Sequence, residues 1–277
     1  MANDTANETE TYPMNPASLS SGIENDLKHR IFAVQDYFFL VARSVKSAFA
    51  ANRYFSDLVE QMDIIGVGSL RIVMVALTCV GGVVVLNAAG QFRRFGETSL
   101  TADAVALALL RELGPVFTAL LVAGRNATAM ASELGSMVVT DQIDAIRAFG
   151  IDPIRKLMTP RLVATVIVMP ILTALGVCGG LVGGFLVAKL TLHVPAAQFW
   201  TRAIDSLQLG DVVIGFVKPL IFGFIVASVG CHQGLRVKGG TEGVGRATIS
   251  AFVESSVIVL VVDLFVTKLL LWTFNLG

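Results

Sequence analysis

Five stretches of this sequence are long enough and apolar enough to cross a lipid bilayer, and that pattern leaves few folds open. They are residues 69–89, 103–131, 161–187, 211–231 and 249–272. A hydrocarbon core about 30 Å thick needs about 20 apolar residues in helical form, and each stretch meets that length. Composition agrees with a bilayer. Hydrophobic residues make up 54% of the 277 and charged residues 15%, with a mean hydropathy of +0.72. Soluble domains carry about a quarter charged residues. The expected fold is an all-α integral membrane protein with five transmembrane helices. Formal net charge is zero, so nothing in the bulk field recruits nucleic acid, and the chemistry must come from local sites.

The N-terminal part differs from the rest. Residues 1–27 hold five acids and no Lys or Arg. A secretory leader needs a basic start and an apolar run, so this stretch reads as a disordered acidic tail that stays in the cytoplasm. From Lys28 to about Ala50, Ile31, Val34, Phe38, Val41 and Val45 recur at spacings of three and four, with Lys28, Arg43 and Lys46 on or near other faces. That is the pattern of an amphipathic helix lying in the membrane interface. The chain therefore divides into a tail at 1–27, an interfacial helix and connector at 28–66, and a five-span domain at 67–277.

Basic residues in the short loops orient the spans. With the N-terminus inside, the inner side collects Lys28, Arg30, Arg43, Lys46, Arg53, Arg71, Arg147, Arg155, Lys156, Arg161, Arg236, Lys238 and Arg246. The outer side collects Arg93, Arg94, Lys189, Arg202 and Lys268. The expected orientation is N-inside and C-outside.

Several ionisable residues interrupt the spans: Arg111, Glu112, Arg125, Asp211, Lys218, Glu254 and Asp263. One charge at mid-bilayer costs about 2.5–3.5 kcal/mol on insertion scales, so these groups must pair, reach an interface or line a wet cavity. Asp211 and Lys218 are seven apart and share one helix face about 10 Å apart. Arg111 and Glu112 are adjacent and are expected to point in different directions. Pro115 follows within a turn and removes an intrahelical donor, which predicts a kink opening toward a polar central cavity. In the third span Gly176, Gly180 and Gly184 repeat every four residues, and a helix so stripped of side chains lets another backbone approach closely. The spacing does not say whether that helix belongs to the same chain or to a second copy.

Two inner loops remain. In residues 137–161, Thr140 is a candidate N-cap of a short amphipathic helix at about 138–149, with Gly150 and then Pro153 as its stop. Such a helix at the cytoplasmic face suits docking to a soluble partner. Residues 234–250 are Gly-rich, but Lys238 precedes the glycines and the flanks are membrane spans, so this is no phosphate-binding P-loop. Cys79, Cys178 and Cys231 sit in apolar runs, and His29, His193 and His232 are scattered, so neither a metal site nor an activated nucleophile is expected. The chain is not read as an enzyme.

The motifs "RELGPVFTALLVAGRNATAMASELGSM", "VTDQIDAIRAFGIDPIRKLMTPR" and "GLRVKGGTEGVGRATISAFVESSVIVLVVDLFVTKLLL" resemble the MlaE (YrbE) permease family, from about residue 54 to the end. The resemblance implies the permease subunit of an ABC transporter that moves phospholipid between the inner and outer membranes of Gram-negative bacteria. It implies a second copy of the chain, a cytoplasmic ABC ATPase that holds ATP and Mg, a periplasmic MCE-domain protein and a STAS-domain protein as partners. No cofactor is then expected on this chain itself. By position, Arg111 and Glu112 match the family's charged pair in a lipid cavity, and Asp211, Lys218, Arg246 and Asp263 resemble charged positions on the last two spans. The segment Thr140, Asp141, Gln142, Ile143, Asp144 and Ala145 is similar to the coupling helix seated on the ATPase, with Glu133 as its anchor. The run Asn126–Thr128 is more polar than the family pattern at that turn. The competing expectations are a proton-coupled secondary transporter and a membrane scaffold subunit.

Overall fold

The computed structural model describes residue 35 and residues 37–47, 55–92 and 100–274, and every regular element among them is helical. The acidic tail, residues 28–34 of the interfacial helix and most of the connector lie outside the described residues. Residues 37–47 are helical, as the three-and-four spacing predicts. The chain divides into two units, Met1–Ala42 and Arg43–Gly277. In the first, Phe38 and Phe39 are exposed.

The second unit is a bundle. We label its helices α1 (Phe55–Phe92), α2 (Leu100–Val139), α3 (Gln142–Ala148), α4 (Ile154–Leu192), α5 (Ala196–Asp205), α6 (Leu209–Leu235) and α7 (Gly240–Phe274). The five long ones, α1, α2, α4, α6 and α7, each have the length and hydropathy of a membrane span. At about 1.5 Å per residue, the 38 residues of α1 extend about 57 Å, nearly twice the hydrocarbon thickness. The helix that begins the first span therefore starts at Phe55, inside the stretch assigned from sequence to a connector.

The glycine ladder of α4 meets α1, within the same chain. A Cβ on Gly81 would collide with the carbonyl of Gly180, and one on Gly183 would collide with the carbonyl of Thr78. The two backbones touch along this seam, with Val73, Leu77 and Val85 buried beside it. On its other side α4 packs against α6, and α6 packs against α2 and α7. The burial is uneven: 61% of the most apolar window of α4 is buried, against 6% for α7.

Helix α5 was not foreseen; its residues read as part of an outer loop. Phe199 and Ala203 are buried, and Phe199 sits 5.6 Å from the ring of Phe185 and 5.7 Å from that of Trp200. At the opposite end of the bundle, Thr140 does not cap α3. Its hydroxyl donates to the Ser136 carbonyl at 2.8 Å, closing the last turn of α2. A hydroxyl spent as a donor on the preceding helix is lost to the following one. Asp141 takes the cap position instead, in the left-handed region at φ 57°, with no side-chain cap bond. Gly150, at φ 74°, ends the short helix as expected.

Candidate functional site

Helix α2 carries two π-helical turns, Leu109–Leu113 and Ala123–Ala127. Such turns often mark functional sites, because an extra residue per turn redirects side chains and frees backbone groups. Here the first holds Arg111 and Glu112, and the second holds Arg125 and Asn126.

At the first, Arg111 Nε donates to Asp211 Oδ1 at 2.5 Å, and Asp211 is fully buried. Asp211 also accepts the backbone N–H of Gln208 at 2.9 Å, so one carboxylate caps α6 and ties it to α2. Two turns along α6, Lys218 is fully buried and bridges three groups. Its Nζ lies 2.7 Å from Glu112 Oε2, 2.9 Å from Asp263 Oδ1 and 2.9 Å from the Arg111 carbonyl. Pro115 has no N–H to offer the carbonyls one turn behind it, and Lys218 serves as donor to one of them. Thr267 on α7 reaches Glu112 and Asp263, each at 3.4 Å. Arg111 and Glu112 point to different partners, both on α6. Their long side chains, diverging from a widened π turn, span the two turns between Asp211 and Lys218.

The cluster thus joins α2, α6 and α7, and it brings together Arg111, Glu112, Asp211, Lys218 and Asp263. Two cations face three carboxylates, so in their ordinary ionised forms the sum is 2 − 3 = −1. Its outer edge is open: the side chains of Glu112, Arg111 and Asp263 keep 39%, 23% and 18% of their surface. Arg246 does not join it. It pairs with Glu242 one turn away in the first turns of α7, seventeen residues or about 25 Å from Asp263. Thr267 was not singled out in the sequence; its place four residues after Asp263 was the available signal.

The segment 140–145 lies at the other end of the bundle. Ile143 is buried, while Asp141, Gln142, Asp144 and Ala145 are exposed. Glu133, near the end of α2, pairs with the nearly buried Arg161 of α4 at 3.0 Å. Arg161 also donates to the Leu157 carbonyl. Ser47 hydrogen-bonds Thr159 at 2.6 Å, and Arg43 pairs with Asp152 at 3.1 Å, fastening residues 43–47 to the start of α4.

The comparisons with known proteins meet this geometry directly. Residues 58–269, which span all five long helices and both π turns, match the family described as Permease MlaE. The chain belongs to the MlaE permease family. Over 227 residues it is 38% identical to a probable ABC transporter permease protein of Rickettsia typhi, covering 82% of this chain and 88% of that one. It is 34% identical over 220 residues to the intermembrane phospholipid transport system permease protein MlaE of Haemophilus influenzae, covering 79% and 84%. It is 33% identical over 210 residues to the chloroplastic protein TRIGALACTOSYLDIACYLGLYCEROL 1 of Arabidopsis thaliana, covering 76% and 60%. This MlaE-family chain is accordingly an integral membrane permease of the ABC-transporter kind, and its relatives carry the names of transport subunits rather than enzymes.

Proposed function

We propose that this chain moves phospholipid between the inner and outer bacterial membranes, as a homodimer in the inner membrane with its N-terminus in the cytoplasm. ATP and Mg act on a separate ATPase, and an MCE-domain protein and a STAS-domain protein complete the assembly. The name of the Haemophilus relative supports the substrate class. The observation that carries the reading is the half-open ion cluster that pins α7, the least buried span, to α2 and α6. Both cations of the cluster are already paired within the chain. A lipid headgroup therefore enters by exchange: α7 separates from α2 and α6, and headgroup ammonium, hydroxyl or phosphate groups replace the lost intramolecular partners. Such exchange costs little if each ion keeps a partner throughout, and much if one is left bare.

The coupling segment supplies the mechanical route. A push on α3 reaches α2 through one left-handed turn at Asp141, and it reaches α4 through the Glu133–Arg161 pair. The test is charge reversal at each end. Arg111→Glu or Glu112→Lys should raise the detergent sensitivity of cells in which the assembly still forms; normal resistance would remove the cluster from the transport path. Asp141→Lys combined with Asp144→Lys should release the ATPase during purification, and undiminished co-purification would reject the coupling assignment.

A further inference from the structure

The second π turn of α2 has a different chemistry. Arg125 Nη1 donates to the Ser69 hydroxyl at 3.2 Å and lies 3.4 Å from the Ile64 carbonyl on α1. Asn126 Nδ2 donates to the same Ser69 hydroxyl at 3.0 Å. Gly68 makes the approach possible, because a Cβ there would collide with the guanidinium. Arg125 is half-buried, and among the described residues no carboxylate lies within ion-pair distance of it. A second such cation lies one turn along α1 from the Gly68 contact. Arg71 is exposed, lies one turn beyond Gly68 on the α1 face that carries Ile64 and Gly68, and likewise has no carboxylate partner among the described residues. Asp63 is the acid next to this contact along α1, and it is paired to neither arginine.

Two guanidinium groups with no carboxylate partner among the described residues, at the edge of an apolar span, suit an anion. The same face then turns apolar. Val75, Cys79, Val83 and Leu86 are exposed, each three or four residues after the last, and they run about 17 Å along α1 from Val75. That length matches half of the hydrocarbon thickness. A cationic fork beside an apolar stripe one leaflet deep has the shape of a phospholipid, with a phosphodiester at the arginines and an acyl chain along the stripe.

We propose that Arg71 and Arg125 form a phosphodiester-binding site for a phospholipid of the leaflet on the α3 side of the bundle, at the outer surface of α1. Arg125 is held in place by Ser69 and Ile64, while Arg71 is exposed and supplies the second cation for the phosphate. The site does not depend on transport or on the ion cluster. The test uses full-length protein extracted from vesicles of equal phosphatidylglycerol and diacylglycerol, with bound lipid counted by native mass spectrometry. Phosphatidylglycerol should be retained in preference to diacylglycerol, and Arg71→Gln should weaken that retention about tenfold, the loss of one charge-assisted contact. Arg71 is exposed and makes no hydrogen bond or ion pair among the described residues, so this variant separates binding from stability. Arg125→Lys should keep part of the retention, and Asp63→Asn should increase it. Arg202→Gln, which removes an exposed arginine on α5 at the other end of the bundle, should leave it unchanged, which distinguishes this site from general attraction to surface arginines. Equal retention of both lipids, or no effect of Arg71→Gln, would overturn the proposal. Displacement of the lipid by millimolar inorganic phosphate would reassign the site to a soluble anion and overturn it as a lipid site.

Discussion

The two π turns of α2 hold opposite electrostatics ten residues apart. In the turn at Leu109–Leu113 every cation has a carboxylate and one carboxylate is in excess. In the turn at Ala123–Ala127, Arg125 has, among the described residues, only a hydroxyl and a carbonyl. The first is a lock: it joins three helices, and its buried members cannot lose a partner cheaply. The second is the proposed receptor, whose cation has no carboxylate partner among the described residues. A single helix can therefore serve both roles when a local widening, rather than a separate domain, sets the direction of its side chains. Both lie on α2, whose end leads into α3, so a movement of α3 is felt first by the element that carries both.

The comparison breaks most severely at Lys218. Lys218→Met leaves Glu112 and Asp263 facing each other without a cation. It should cost about 3–5 kcal/mol, read as a large fall in the unfolding temperature in detergent. Adding Glu112→Gln and Asp263→Asn to that variant should restore most of the loss, because no bare charge is then left. At the second π turn the effect should be smaller. Asn126→Ala removes one buried hydrogen bond to Ser69 and should cost about 1 kcal/mol by the same assay. Arg71→Gln should leave the unfolding temperature unchanged while lowering phosphatidylglycerol retention, as a receptor residue does and a lock residue does not. A fall in unfolding temperature for Arg71→Gln comparable to that for Lys218→Met would erase the distinction between the two turns.

Much of the fold was legible from hydropathy alone. Five apolar runs of the right length admit few other readings, and the long helices contain each of them. Helix ends were less legible. Asp57, Glu60 and Asp63 end the apolar run of the first span, but a charged helix continues outside a bilayer without an apolar run to announce it. The members of the site were legible as charges that cannot face lipid, whereas their partners were not. That Arg111 reaches Asp211 while its neighbour Glu112 reaches Lys218 follows from a π turn and from the crossing of α2 and α6, and neither has a signature in residue spacing. The glycine ladder declared a close approach without declaring its target, since the Gly81–Gly180 contact on α1 is no different in pattern from a contact with a second copy. Thr140 misled because its hydroxyl serves equally well to close one helix or to open the next.

Photoreactive phospholipid tests the central claim most directly, with the label near the headgroup and the full complex turning over ATP. Adducts should appear on α2 and α7 around Glu112 and Asp263, and they should be missing from the glycine seam of α1 and α4, where the backbones touch. Labelling spread evenly over all five spans, or confined to surfaces away from Glu112 and Asp263, would contradict the account.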